Sequence, residues 1–125
     1  MVGLNADPYE WMHPETLTEL VIQPGEFLLA ETAEALGLPL HLCGWIEGKS
    51  GRARLGLEVH LTAPKIDPGW GTPTPKRITL EIVNHNHVKI RLRAGAPIAQ
   101  VVFHRLGIPA TTPYSGHHGA RGTGS

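Results

Sequence analysis

Three stretches of this chain alternate apolar and polar residues with a period of two, which is the spacing of a β-strand that buries one face. Residues 78–83 place isoleucine or leucine at each even position, and residues 54–61 place leucine or valine at each odd position from 55. Residues 88–93 alternate apolar residues with lysine and arginine. Short segments of this kind, separated by glycine and proline turns, predict an all-β fold of the distorted β-barrel or jelly-roll type.

The segments between these stretches complete the expected architecture. Further strands are expected at residues 20–22, which end at the Pro24-Gly25 turn, and at 27–30, 38–46 and 98–103. Residues 31–36, followed by Gly37, predict one helical turn. Asp67-Pro68-Gly69 predicts a tight turn, because proline fixes φ and glycine accepts positive φ. Residues 71–76 are expected to form an exposed loop.

The length of 125 residues is that of one domain with a substantial core. We divide the chain into an N-terminal arm (1–19), a β-domain (20–110) and a flexible tail rich in glycine and histidine (111–125).

Composition excludes several classes of protein. The 11 basic and 11 acidic residues cancel, which argues against a nucleic-acid or membrane-surface binder, so any attraction for anions must be local. The single cysteine, Cys43, rules out an internal disulfide and is expected to be a small buried side chain. The sequence shows no membrane-spanning run and no signal pattern, which predicts a soluble, cytoplasmic protein.

A basic loop at residues 48–56 is the first candidate for a binding site. Lys49, Ser50, Arg52 and Arg54 fall within six residues and lie between two glycines. Lysine and arginine donate charged hydrogen bonds to phosphate, and small residues let backbone N–H groups approach it. The loop lacks the spacing of a nucleotide P-loop, and a solvated, glycine-rich hairpin remains the alternative interpretation.

Glu81 is the second candidate, because it lies between Leu80 and Ile82 in a predicted strand. If its carboxyl group is buried, its pKa rises towards the range in which it can act as a general base at neutral pH. The alternative is an exposed glutamate on the solvated face of an antiparallel strand.

The histidine pairs at 85/87 and 117/118 resemble metal ligands, but histidines in turns and tails are more often ordinary polar residues, which is the interpretation we favour. A zinc-dependent deaminase requires His-x-Glu followed by Pro-Cys-x-x-Cys. His13-Pro14-Glu15 matches only the first half of that signature, and one cysteine cannot supply the second. We therefore predict no zinc site.

The central block of the sequence resembles the deoxycytidine triphosphate (dCTP) deaminase family, which belongs to the deoxyuridine triphosphatase (dUTPase) superfamily. The matching pieces occur in the family's order over residues 24–106: Gly48-Lys49-Ser50, Ala53-Arg54-Leu55-Gly56, His60, Thr62-Ala63, Ile66-Asp67-Pro68-Gly69-Trp70, Ile78-Thr79-Leu80-Glu81, Asn84, Ala94-Gly95, Ile98-Ala99-Gln100 and Phe103.

The resemblance implies a dUTPase-like barrel that assembles as a homotrimer, with active sites at the subunit interfaces. It implies zinc-independent hydrolysis of dCTP to dUTP and ammonia, with Glu81 as general base. Ser50 and Arg54 would hold the water and stabilise charge at the reacting carbon. The triphosphate would carry Mg²⁺.

The same resemblance implies the substrate contacts. The backbone of Ala63 would read the base, Asp67 would face the sugar, and Lys49 and Gln100 would hold the triphosphate. Tyr114 matches a nucleotide-contacting tyrosine of the tail. The remaining predicted substrate contacts are Gly51, Arg52, Ala53, Thr79, Leu80 and Arg121.

The sequence also departs from the family pattern. Family members have further strands before the point that matches the start of this chain, and their closing tail carries a lysine and a glutamine where Gly116 and Ala120 stand here. His117, His118 and Arg121 could replace those phosphate contacts. These departures leave a non-catalytic nucleotide-binding relative open. The end of the chain, Arg121-Gly122-Thr123-Gly124-Ser125, also resembles the start of the glycine-rich arm of dUTPases, which leaves open a dUTP diphosphatase or a bifunctional enzyme that releases pyrophosphate.

Overall fold

The computed structural model of the protein describes residues 7, 12 and 14–116, and this part of the chain is almost entirely β-structure. Its elements, in chain order, are β1 (Glu19–Ile22), β2 (Phe27–Leu36), β3 (Leu42–Gly48), the helical turn α1 (Ser50–Ala53), β4 (Leu57–Glu58), β5 (Lys65–Ile66), β6 (Lys76–Asn84), β7 (Ile90–Arg93) and β8 (Ala99–Arg105).

These strands form three antiparallel sheets, with the orders β1-β7, β2-β6-β4 and β5-β3-β8. Most neighbours in a sheet are distant in sequence, so the fold depends on long-range pairing. Strand β8 pairs with β3 along its whole length, from Ala99 opposite Gly48 to Arg105 opposite Leu42. The prediction of a mainly β fold is confirmed.

Strand β6 carries the centre of the core, and the predicted alternation explains why. Ile78, Leu80 and Ile82 are 8%, 4% and 1% exposed, whereas Thr79 and Glu81 are only half-buried. Burying such side chains stabilises the fold by roughly 1.5–3 kcal/mol each. The other buried members of the core are Ile22, Leu38, Ile46, Leu57, Val59, Ile66 and Ile90.

The predicted helical turn at residues 31–36 is wrong, because β2 continues through this segment to Leu36. The register with β6 shifts between Glu31 and Ala35 and then resumes, with Ala35 opposite Arg77. The segment is rich in alanine and glutamate, which favour helix, but pairing with β6 outweighs that weak preference.

Two other predictions are corrected by the structure, one in the length of a strand and one in the conformation of the basic loop. Residues 54–61 do not form one strand: β4 is limited to Leu57–Glu58, and Leu55 and Leu61 are exposed although Leu57 and Val59 are buried. Residues 50–53 of the basic loop form the helical turn α1 rather than an open hairpin.

Several smaller predictions are confirmed. Cys43 is a free, buried cysteine in β3. The Pro24-Gly25 turn follows β1, and Gly25 has a φ of 75°. In the predicted loop at 71–76, residues 72–75 are exposed, but Gly71 is buried against the carbonyl of Leu36.

Candidate active site

The basic loop is held in one turn of helix by its own backbone. The amides of Arg52 and Ala53 donate to the carbonyl of Lys49 at 2.8 and 2.9 Å, and the amide of Arg54 donates to the carbonyl of Ser50 at 3.0 Å. Gly56, with a φ of 85°, ends the turn in a conformation that residues with a side chain rarely adopt. The turn therefore presents its side chains from a defined backbone.

A pocket of about 380 Å³ lies between α1 and the start of β8. Gln100 closes one side of it, and its Nε2 donates to the carbonyl of Gly48 at 3.1 Å. The lining combines two cations with a hydroxyl and an amide, which are the donors that phosphate oxygens accept from. The pocket is lined by Lys49, Ser50, Gly51, Arg52, Pro97 and Gln100.

The structure thus brings five of the predicted site residues together around one pocket. Ala53 and Arg54 are exposed at the other end of the same turn. The phosphate interpretation of the basic loop gains support from this pocket, which the sequence alone could not show.

Glu81 lies in the middle of β6, opposite Leu29 of β2, and its carboxyl group is half-buried. Burial raises the pKa of Glu81 above its usual value of 4.5. A hydrogen bond from its own backbone N–H and the charge of His60 act in the opposite direction. A raised pKa is what the interpretation of Glu81 as a general base requires, and that role stays a prediction.

His60 is a residue to which the sequence assigned no role, although the resemblance includes it. Its backbone forms an isolated parallel bridge with that of Glu81. Its Nδ1 accepts a hydrogen bond from the amide of Thr62 at 3.0 Å. His60 and Glu81 are far apart in the sequence, and only the pairing of their backbones brings them together. The sequence alone therefore gave no signal for this contact.

The turn after His60 has a strained backbone. Leu61 and Thr62 have φ values of 41° and 63°, which are rare for residues with a side chain and rarest for β-branched ones. The amide of Ala63 donates to the carbonyl of His60 at 2.8 Å and closes the turn. Strain of this kind is typical of binding and catalytic sites, and here it positions the exposed Ala63.

Asp67 begins the predicted tight turn, and Gly69 has a φ of 82° there. The Asp67 carboxylate forms an ion pair with Nζ of Lys65 at 2.9 Å, and this contact raises the pKa of Lys65. The amide of Trp70 donates to the carbonyl of Asp67 at 3.1 Å.

Tyr114 docks on this turn. Its amide donates to the carbonyl of Pro68 at 3.0 Å, and its ring lies 5.6 Å from that of Trp70, centroid to centroid. The structure therefore brings Tyr114 and Asp67, predicted as nucleotide contacts, to the same turn.

Two predicted contacts on β6 differ from each other. Thr79 is half-buried, whereas the side chain of Leu80 belongs to the core, so only its backbone remains to contact a ligand. Arg121, His117 and His118 lie outside the described residues.

The predicted site residues thus fall into two groups. The first group, around α1, lies beside the sheet β5-β3-β8, and the second lies on β6 and on the turns at 60–63 and 67–70. The second group consists of Ala63, Asp67, Thr79, Leu80, Glu81 and Tyr114.

Within residues 7, 12 and 14–116, no three histidine, cysteine, aspartate or glutamate side chains lie close enough to hold a metal ion. The His85-Asn86-His87 stretch instead forms hydrogen bonds within the fold. Nε2 of His85 contacts the carboxylate of Glu58 at 2.5 Å, and Asn86 donates to the carbonyl of Leu55 at 2.9 Å.

The chain matches a known protein family. The family model described as dCTP deaminase-like matches residues 4–106, which is most of the chain. The chain belongs to the dCTP deaminase-like family.

Two curated relatives of this dCTP deaminase-like chain are named dCTP deaminases. It is 44% identical over 100 residues to the dCTP deaminase of Idiomarina loihiensis. These aligned residues are 80% of this chain and 49% of the relative. The dCTP deaminase of Pectobacterium atrosepticum is also 44% identical over 100 residues, covering 80% of this chain and 50% of the relative. The chain therefore spans about half the length of the curated relatives it matches.

Solved structures show the fold of this dCTP deaminase-like chain. A 2'-deoxycytidine 5'-triphosphate deaminase from Agrobacterium tumefaciens superimposes with a TM-score of 0.67 at 22% identity, covering 78% of this chain and 29% of that one. The native dUTPase of EIAV superimposes with a TM-score of 0.59 at 21% identity, covering 79% and 78% of the two chains. At these identities the likeness supports a dUTPase-like fold and no more.

The part of the chain that the structure describes contains no helix that is both long and apolar enough to cross a bilayer.

Proposed function

We propose that this chain contributes to the hydrolytic deamination of dCTP to dUTP and ammonia. The observation that carries the proposal is Glu81, a half-buried carboxyl group of raised pKa in a chain whose curated relatives at 44% identity are dCTP deaminases. A base of this kind is needed because water alone attacks the cytosine ring too slowly at neutral pH.

The reaction exchanges one nitrogen for one oxygen at carbon 4 of the cytosine ring. Glu81 takes a proton from water as the oxygen bonds to carbon 4 and the π bond between carbon 4 and nitrogen 3 opens, and it delivers that proton to nitrogen 3. The proton of the new hydroxyl group then passes, by way of Glu81, to the amino group. The carbon–nitrogen bond then breaks, ammonia leaves, and a carbonyl group remains. Ser50 and Arg54 hold the water and stabilise the charge that develops at carbon 4.

The pocket beside α1 binds the triphosphate in this proposal, because its Lys49 and Arg52 cations suit phosphate oxygens. The same cations repel Mg²⁺, which prefers carboxylate and water oxygens. Mg²⁺ therefore arrives with the triphosphate as part of the substrate. Binding by Tyr114 and Arg121, and a cytoplasmic location, stay predictions from the sequence.

We further propose a homotrimer in which the two groups of site residues come from neighbouring subunits. Strand β8 supports this assembly, because it is an edge strand with exposed apolar residues on both faces. Val102 and Phe103 are 43% and 49% exposed. An uncovered apolar edge of this length favours aggregation, so association with a second copy would protect it.

The first experiment is to incubate the purified protein with dCTP and Mg²⁺ and to separate the nucleotides by anion-exchange chromatography. Accumulating dUTP supports deamination alone, whereas dUMP with pyrophosphate indicates the bifunctional enzyme. Bound dCTP without any product indicates a non-catalytic relative and contradicts the proposal.

Glu81→Gln tests the role of the carboxyl group, with Glu34→Gln as the control on an exposed residue of β2. We expect Glu81→Gln to abolish deamination while dCTP binding persists, and Glu34→Gln to retain both. Undiminished turnover by the Glu81 variant would exclude it as the base.

Phe103→Asp tests the assembly, with Val88→Asp as a control in an exposed turn. A charge in the middle of β8 should lower the molar mass measured by light scattering to that of one chain, whereas the control keeps the mass of three. A wild-type mass of one chain would contradict the homotrimer.

A further inference from the structure

The turn between β6 and β7 lies directly against the end of the basic loop. Nδ2 of Asn86 donates to the carbonyl of Leu55 at 2.9 Å, and the amide of His85 donates to the carbonyl of Gly56 at 2.8 Å. These two bonds join segments about 30 positions apart in the chain. They contact the loop immediately after Arg54.

Asn86 is itself fixed by hydrogen bonds on its other atoms. Its amide donates to Oδ1 of Asn84 at 2.8 Å, and its Oδ1 accepts from the amide of His87 at 2.7 Å. Asn84 is fully buried and lies three residues after Glu81 on β6. These bonds fix the orientation of the Asn86 side chain independently of its bond to Leu55.

The close approach depends on Gly56. A Cβ at this position would lie 2.8 Å from the backbone nitrogen of Asn86, a distance that real Cβ atoms essentially never show. Glycine thus lets the two backbones meet, in addition to supplying the positive φ that ends the turn.

The basic loop is consequently anchored at both ends. Gln100 bonds to the carbonyl of Gly48 before the turn, beside the pocket, and Asn86 bonds to the carbonyl of Leu55 after it. Leu55 is bonded back into the turn, because its amide donates to the carbonyl of Arg52 at 3.0 Å. Holding Leu55 therefore limits the freedom of Arg54.

We propose that Asn86 is a positioning residue that fixes the end of the basic loop relative to β6, and with it the guanidinium of Arg54 relative to the reaction. The link to catalysis rests on the proposed function, whereas the anchoring of the loop does not. The contact between Nε2 of His85 and the carboxylate of Glu58 holds the same turn against β4, the strand that follows the loop.

Hydrogen exchange of the loop amides tests the anchoring without any need for activity. Asn86→Asp keeps the acceptor for His87 but replaces the donor to Leu55 with an oxygen, and Asn86→Ala removes both. His87→Ala is the matched control, because its side chain is exposed in the same turn. The amides of Arg54, Leu55 and Gly56 report on the turn, and those of β3 and β8 report on the rest of the fold.

We expect exchange at these three loop amides to accelerate about fivefold in both Asn86 variants, the factor that corresponds to one net hydrogen bond, with β3 and β8 unchanged. His87→Ala should match the wild type. Unchanged loop exchange in both variants would overturn the proposal. Equal acceleration in every strand would also overturn it, because Asn86 would then serve global stability alone.

Kinetics test the consequence for Arg54. Because the phosphate pocket is anchored separately by Gln100, we expect kcat for dCTP to fall about fivefold with KM changed less than twofold. A rise in KM at constant kcat, or unchanged kcat, would overturn the positioning role. If the wild type itself deaminates no dCTP, the proposed function fails, and hydrogen exchange still decides whether Asn86 anchors the loop.

Discussion

His60 and Glu81 form a backbone bridge between the strained turn at 60–63 and the central strand β6. Their side chains are coupled as well, because positive charge on His60 lowers the Glu81 pKa that burial raises. Nδ1 of His60 also accepts a hydrogen bond from the amide of Thr62 at 3.0 Å. His60 therefore links Glu81 to the turn that carries Ala63.

Replacing His60 should change the pH dependence of activity. His60→Asn removes the charge and offers an amide oxygen to Thr62 in place of Nδ1. Without the charge of His60, the pKa of Glu81 should rise, so the base is lost at a higher pH on acidification. We expect the acidic limb of the kcat/KM profile for dCTP to move to higher pH.

The control for this variant is His41→Asn, an exposed histidine that precedes β3. Its profile should coincide with that of the wild type. An acidic limb that stays in place, or moves to lower pH, in His60→Asn would contradict the electrostatic coupling.

Glu81→Gln should make the fold more stable at neutral pH. The folded-state pKa of Glu81 is raised, so its ionised form is disfavoured by folding, and the penalty appears as the pH rises through that pKa. Glutamine has no charge to desolvate. Urea denaturation at pH 7 should show a higher midpoint for the variant, and the difference should disappear below the usual glutamate pKa of 4.5, where both states are protonated.

A midpoint that falls equally at both pH values would mean that Glu81 stabilises the fold through its hydrogen bonds. The combination that we expect, greater stability with lost turnover, is typical of residues held in an unfavourable environment for function.

The sequence predicted Ile78, Leu80 and Ile82 as core residues of β6 because burial of one strand face imposes a period of two. Val83, which the period places on the other face, is also buried. Strand β8 has no such period, since Val101, Val102 and Phe103 are all exposed, and the prediction of residues 98–103 missed its end at Arg105. The segment 31–36 was misassigned because its local preference for helix is weaker than its pairing with β6.

The site was predictable to the extent that it is local in sequence. The basic loop supplied Lys49, Ser50 and Arg52, which do share a pocket. The contacts of His60 with Glu81 and of Asn86 with Leu55 depend on pairings between distant segments, and no periodicity in the sequence reports those.

Asn84→Ala should destabilise the fold strongly. The side chain is fully buried, its Nδ2 donates to the carbonyls of Ile22 and Val88 at 3.1 and 2.9 Å, and its Oδ1 accepts from Asn86. Alanine leaves these groups without the partner that Asn84 provides, so we expect a loss of about 2–4 kcal/mol in the free energy of unfolding.

Urea denaturation measures this loss, and Lys89→Ala, at an exposed position beside β7, is the control with an expected change below about 0.5 kcal/mol. A loss for Asn84→Ala no larger than that of the control would show that the buried amide is not what joins β1 and β6 to the turn before β7.

Gly69→Ala should detach Tyr114 from the turn at 67–70, and Gly25→Ala provides a matched comparison. Both glycines have positive φ, 82° and 75°, so both variants should lose roughly 1–2 kcal/mol through backbone strain. A Cβ at Gly25 would have no atom within 4 Å, whereas one at Gly69 would lie 2.5 Å from Pro113.

We expect the amide of Tyr114, which bonds to the carbonyl of Pro68, to exchange at least tenfold faster in Gly69→Ala and at the wild-type rate in Gly25→Ala. Because Tyr114 is a proposed nucleotide contact, KM for dCTP should rise only in Gly69→Ala. Equal exchange at Tyr114 in the two variants would show that the contact with Pro113 does not hold the tail in place.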